Sequence, residues 1–575
     1  TFDTLQITNG SQVTSTNVVN TLTLLDINDG SYSPAACGQH HDIQIGANGV
    51  YTPTGSACIN LSGNWTNDGA YTPGSAVVTF NGDANQTIGG SVDTTFANLV
   101  VDNSGDPGSV TVDPARTVTV SDTLTVTDGE FIPSDGSDFN NIAIGENGAL
   151  TPEAGGTITI SGNVSNQGSF DPNGGTVVLD GTQDQTFDGP ISFYDLVVNL
   201  DPATTVVDFN DPVTVEHTLD IQSGVVQFPG GSDFADVQVG ANGTLAPDNG
   251  ASFSISGDWT NAGTYIPNQS TVIFDGSDPQ TVSGITDFYN LTLDNGSTLS
   301  FDAPIQVDGL LHIVDGEINT LAGTVLNNVT IDEQGILDPV ADPNNPEATT
   351  IEIGGQMRNH GVFDLGDISA TGEFSLDQVY VSPEYTEATP GYGVDHYNTI
   401  QEALALSNLT ENATIKVYGG QYSNDVIVAD DIHLVFDSHS ALDGLVDMPV
   451  ELGGNLVINH AAAVVTAPQG TLSLPGNLEL TLGVFEANGG KVLFNGTDQQ
   501  HILGSLAFYD LDVNNSADFT PETADDHDVD ADSSISVAGT LHLLDGQFSP
   551  LPCSSFHTVI IDAGAILKPQ AGSAT

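Results

Sequence analysis

A unit of about 95 residues recurs along this chain, and no other feature constrains its fold as strongly. Each unit opens on an aromatic three positions before a leucine: Phe2 with Leu5, Phe96 with Leu99, Phe193 with Leu196, Phe288 with Leu291. The spacing of these starts is nearly constant. Other signatures follow in fixed order. "IGANGVYTP" at 45–53 returns at 144–152 and 239–247, and in degraded form at 561–569. "SGNWTNDG" at 62–69 returns at 161–168 and 256–263. "VTFNGDANQT" at 78–87 returns at 177–186, 272–281 and 492–500.

Within a unit, short apolar-alternating runs end in Gly, Asn, Asp or Pro. One unit divides into 96–114, 115–139, 140–156, 157–175 and 176–192. Pieces of this size suit one coil of a parallel β-solenoid. Alternate side chains point inward, and turn residues take the corners where φ > 0 is needed. At about 19 residues per coil the chain would make some 30 coils. A β-sandwich array is the alternative, but it needs hairpin signals and longer strands than the roughly 4–6 residues read here. The expected class is therefore all-β: a β-solenoid of multi-coil repeats.

The charge limits the partners. There are 75 acidic and 5 basic side chains, a formal net charge of −70. Nothing here could neutralise nucleic-acid phosphates, and anionic membranes would repel the chain. Cations, Ca²⁺ among them, are the natural partners. No run of about 18 apolar residues marks a membrane span. The chain carries no initiator Met or leader, so either a leader has been removed or a longer protein surrounds it. Cys37 and Cys58 lie one coil length apart in sequence. They could be bridged if adjacent coils bring them together, or remain buried thiols; Cys553 is left over.

The repeat breaks once. The next aromatic start, Phe508 with Leu511, comes more than two unit lengths after Phe288. The expected division is solenoid over 1–380, an insertion over 381–475, and solenoid again over 476–575. Asn398 with Gln401 reads as a capping box for a short helix over 398–407, with an apolar face of Ile400, Ala403, Leu404 and Leu406. Thr399-Ile400-Gln401, Ala403 and the run from Thr414 to Tyr422 ("TIKVYGGQY") resemble the N-terminal capping segment of pectin-lyase-like right-handed parallel β-helix proteins. The resemblance covers a small part of the chain, in the centre of the insertion. The long units look like those of secreted surface proteins and adhesins of that superfamily. The resemblance implies a right-handed parallel β-helix. It also raises polysaccharide lyase or hydrolase chemistry.

Few residues carry such chemistry. Arg116, Arg358, Lys416, Lys491 and Lys568 are scattered, with no visible cluster of acids around any of them. Asp430 with Asp431, and the run at 525–532, are the carboxylate candidates for paired acid–base work. The first pair reads better as the end of a strand. The second reads as a solvated acidic loop, with Asp525, Asp526, Asp528 and Asp530 as weak Ca²⁺ ligands. It lacks an EF-hand spacing. Cys37, His40 and His41 could suggest a metal, but no second ligand pair accompanies them. Trp65 and Trp259 share one repeat phase with Val164 and Met357, which points to a buried stack rather than a sugar platform. Fourteen Asn-x-Ser/Thr sequons include Asn64, Asn85, Asn242, Asn290 and Asn408, candidate glycosylation sites in a chain where composition alone yields many.

Both ends fall at coil boundaries without a polar cap. The expectation is a structural, extracellular cell-surface protein that polymerises head to tail, through Phe2, Leu5 and Ile7 at one end and Ile566 and Leu567 at the other. A fragment of a large adhesin that binds carbohydrate or cells is the alternative. A polysaccharide-active enzyme ranks third.

Overall fold

The computed structural model describes residues 1–575 except 56, 106–107, 344, 346–347, 366–368, 372–374, 387–388, 516–527 and 571–575, and leaves aside the side chain of 528. The chain forms two compact units, Thr1–Gly309 and Leu310–Thr575. Each is a parallel β-solenoid.

In the first unit, alternation sets the stack. From Phe96 the parallel register runs to Val120, Phe139, Ile160, Leu179 and Val198. All six side chains are buried. Five parallel steps carry the row from Phe96 to Val198, past the next repeat start at Phe193, so one repeat spans somewhat less than the five coils expected. The strands are longer than the sequence suggests: Val118–Ile132 has 15 residues and Ser137–Leu150 has 14. The ladder continues around a corner with a register shift between Val120 and Thr123, so two short faces join as one bent strand. Trp65, Val164 and Trp259 are buried as expected, and Trp65 lies 4.8 Å from Tyr71 and 5.3 Å from Phe96 between ring centroids.

The corners explain much of the Asn and Asp content. Asp42 Oδ1 accepts the Asn64 backbone N–H at 2.7 Å, and Asn64 Oδ1 accepts that of Thr87 at 2.8 Å. The same steps run Asn141 to Asn163 to Thr186, and Asp236 to Asp258 to Thr281. Only an acceptor oxygen is used, so amide and carboxylate interchange at one phase. A buried glutamine pins the adjoining turn. Gln86 Nε2 donates to the carbonyls of Leu61 (2.9 Å) and Gly63 (2.6 Å), and its Oε1 accepts the Gly82 N–H at 3.0 Å. Gln280 repeats this bracket with Ile255, Gly257 and Gly276.

The second unit uses the same devices. Val379, Ile415, Leu434, Val465 and Phe485 stack inward in parallel register. Val450, Leu472, Val492, Leu511 and Leu541 form another inward row. Met357 is buried at the tryptophan phase. Asp425, Asn455 and Asn477 make the corner ladder, and Gln500 makes the bracket. The helix spans Ile400–Leu404, shorter than expected over 398–407. Its N-cap is Thr399, whose hydroxyl accepts the Glu402 N–H. The capping pair is therefore Thr399 with Glu402, one residue beyond Asn398 and Gln401, because burial of Ile400 and Ala403 sets the helix phase. No helix of the described residues is long and apolar enough to cross a membrane.

Candidate functional site

Titratable chemistry converges on one side of the second unit, where the chain leaves the strand Ile432–Phe436 for the loop 437–449. Lys416 pairs with Val435, and Val435 with Thr466, across neighbouring coils; their side chains alternate with the buried Ile415, Leu434 and Val465 and so point outward. Asp437 continues this side. Its Oδ2 lies 3.2 Å from Lys416 Nζ, and its Oδ1 lies 2.6 Å from His439 Nδ1. His439 Nε2 lies 3.6 Å from Asp447 Oδ1. Lys416 Nζ also stands 4.6 Å from the Tyr418 ring centroid. Burial opposes ionisation of Asp437, but hydrogen bonding from His439 and Lys416 outweighs it and holds the carboxyl below its usual value. Gln469, Thr471 and Asn488 extend the groove beside these groups. An ammonium, an imidazole, two carboxylates and amides thus line one open groove, a set suited to hydrogen-bonding a polar ligand. Sequence reasoning missed it. Asp437-Ser438-His439 was a visible Asp-x-His, but Lys416 and Asp447 are remote from it along the chain and meet it only through coil stacking and loop closure.

The other candidates separate. Cys37 and Cys58 form a disulfide, which removes Cys37 as a metal ligand, and Cys553 is an exposed free thiol. His40 is an inward coil residue, 4% exposed, paired in register with Leu61; its Nδ1 lies 2.9 Å from the Thr21 hydroxyl. His41 Nδ1 contacts the Ser62 hydroxyl at 3.1 Å instead. Asp430 and Asp431 lie between the strands Val426–Val428 and Ile432–Phe436. Asp525 and Asp526 lie outside the described residues. Asp528 and Asp530 are not in a loop: Asp528–Ala531 is a strand, in register with Gln500–Ile502 and continuing the inward row through Val529. Asp530 accepts a hydrogen bond from Gln499 at 3.0 Å. Among the described residues no three His, Cys, Asp or Glu side chains are grouped to hold a metal.

Of the sequon residues, Asn64, Asn85 and Asn242 are exposed, whereas Asn290 and Asn408 are half-buried. Asn64 Oδ1 is engaged at the corner, so this sequon has a structural reason to exist. Phe2 is half exposed and Ile7 buried, with Leu5, Ile566 and Leu567 between these extremes.

Two acid responses follow from burial. Desolvation lowers the His40 titration to about 4. The folded state then binds this proton less readily than the unfolded chain, so stability is lost as pH falls below about 6.5. By about pH 4 the loss is roughly 3 kcal/mol from this residue. His40→Leu should therefore gain stability relative to the parent at about pH 4.5 but not at about pH 7.5, in paired thermal melts. Asp180 behaves oppositely. Burial first, and repulsion from Asp138 second, raise its pKa; Asp275 is raised in the same way, with Asp233 as its neighbour. A raised carboxyl costs the fold stability above its titration, and the cost vanishes as pH falls below the ordinary carboxyl range. Asp180→Asn should raise the melting temperature at about pH 7 by a few degrees at most, with no gain at about pH 3.5.

Comparison with family models, curated proteins and solved structures found no match to this chain. The fold and these side chains define a parallel β-solenoid repeat protein.

Proposed function

We propose that this chain is a non-enzymatic structural solenoid of the cell exterior, built to extend and to persist. The observation that carries this reading is the repeated internal stitching: buried glutamine brackets at Gln86, Gln280 and Gln500, and Asn/Asp corner ladders in both units. The Cys37–Cys58 disulfide supports an oxidising, extracytoplasmic setting. Coil edges present unpaired strand groups that a further coil can continue, whether from the same polypeptide or from another copy. Head-to-tail contact through Phe2, Leu5 and Ile7 against Ile566 and Leu567 would make a filament. Divalent cations, Ca²⁺ first, are the proposed counter-ions, since a net charge of −70 repels like subunits over about 10 Å at 0.1 M salt.

Electron microscopy of native material, never refolded, tests the reading. Uniform filaments that loosen in low salt with chelator support it. Isolated particles that stay dispersed in Ca²⁺ and high salt overturn the filament. A second reading, a surface adhesin that binds carbohydrate, is favoured by the Lys416–Asp437–His439 groove. Titration with neutral oligosaccharides should then give binding that His439→Ala abolishes; no binding by the parent chain would remove this alternative.

A further inference from the structure

The loop 437–449 bears a second feature, at its tip. Leu445 is 94% exposed, Leu442 68% and Val446 48%. Three aliphatic side chains stand in water at one loop tip, in a chain whose turns are mostly Asp, Asn, Gly and Ser.

The tip is not slack. Glu384 Oε2 accepts the Ser440 hydroxyl at 2.7 Å and the backbone N–H groups of Ala441 and Leu442 at 2.9 and 3.4 Å. Ser440 Oγ accepts the N–H groups of Leu442 and Asp443, and Asp443 Oδ1 accepts that of Leu445 at 3.1 Å. The Ser440 N–H donates to the Val446 carbonyl at 3.0 Å, and His439 and Asp447 form an antiparallel bridge below. The backbone is held so that the leucines face outward. The ordering entropy is spent at folding, which favours binding.

Charge selects the occupant. Asp443 and Asp447 flank the tip, and the Asp447 side chain is 96% exposed. A second copy of this chain is a poor source of the complementary cations. It has five basic residues; Arg116, Arg358, Lys416 and Lys491 are each paired with an aspartate of their own chain, which leaves the single exposed Lys568 to face two aspartates. We propose that the loop 437–449 is an anchor for a basic partner protein: Leu442, Leu445 and Val446 enter an apolar pocket, and Asp443 and Asp447 meet Lys or Arg on its rim.

The probe is heptakis(6-amino-6-deoxy)-β-cyclodextrin, an apolar cavity ringed by ammonium groups, with neutral β-cyclodextrin beside it. Calorimetric titration of the full chain should give binding to the cationic cage about tenfold tighter than for Leu445→Ser. The neutral cage should bind more weakly than the cationic one, and Asp443→Asn with Asp447→Asn should erase that difference. Leu445 is almost fully exposed, so an unchanged melting temperature will verify that Leu445→Ser is folded. Equal binding by parent and Leu445→Ser overturns the proposal. Equal binding of the two cages overturns the basic rim. Self-association in sedimentation velocity that Leu445→Ser abolishes would assign the tip to a second copy and overturn it too.

Discussion

Trp65→Ala should destabilise the first unit by about 3–5 kcal/mol, the range for truncating a large buried aromatic. Trp65 has no exposed surface and packs on Tyr71 and Phe96; its ring also lies 6.1 Å from Tyr51. Its Nε1 makes no hydrogen bond, so the cost is lost transfer energy and a cavity rather than a broken polar contact. The closely ladder-paired coils around it cannot collapse onto the gap without shifting register. Trp259→Ala should match it, because Trp259 packs in the same way on Tyr265 and Phe288. Val164→Ala, at the same phase with a smaller side chain, should cost clearly less. Denaturant unfolding gives the magnitude, and amide exchange locates it. The prediction fails if Trp65→Ala costs under about 1 kcal/mol, or if lost protection does not centre on the strands Gly38–Ile45 and Gln86–Gly90 that flank it.

Gln280→Leu should be comparably severe despite preserving bulk. Gln280 is 2% exposed. Its Nε2 donates to the carbonyls of Ile255 (2.9 Å) and Gly257 (2.7 Å). Its Oε1 accepts the Gly276 N–H at 3.2 Å and Asn295 Nδ2 at 3.1 Å. Leucine would strand buried donors and acceptors at about 1–3 kcal/mol each, so a total of roughly 3 kcal/mol is expected after partial relaxation. The chain contains its own control. Asn103, Asn295 and Asn515 share one phase and each donates to the bracket glutamine, but repeat two has Leu200 there. Gln185 Oε1 accordingly has no partner. Gln185→Leu should therefore cost less than Gln280→Leu, since fewer bonds are lost. Equal costs would mean that the carbonyl contacts alone carry the bracket.

The repeat and the inward phase of Trp65, Val164, Trp259 and Met357 were legible from sequence alone. Side chains that alternate across a pleat and recur every coil leave that pattern whatever the register. The cap of the helix was misplaced by one residue because Asn398 and Thr399 are both competent caps, and burial of Ile400 chose between them. Asp528–Ala531 was read as loop because its acids mask one inward valine, Val529.

Tertiary structure decided whatever depends on which coil lies beside which. Coils are unequal in length, as the pairings of Phe96 with Val120 and of Val120 with Phe139 make plain, so sequence spacing does not fix neighbours. The Cys37–Cys58 bridge, the Asp42–Asn64–Thr87 corner and the meeting of Lys416, Asp437, His439 and Asp447 all depend on that stacking or on loop closure. Periodicity is a property of one strand and survives in the sequence; register is a property of two, and only packing sets it.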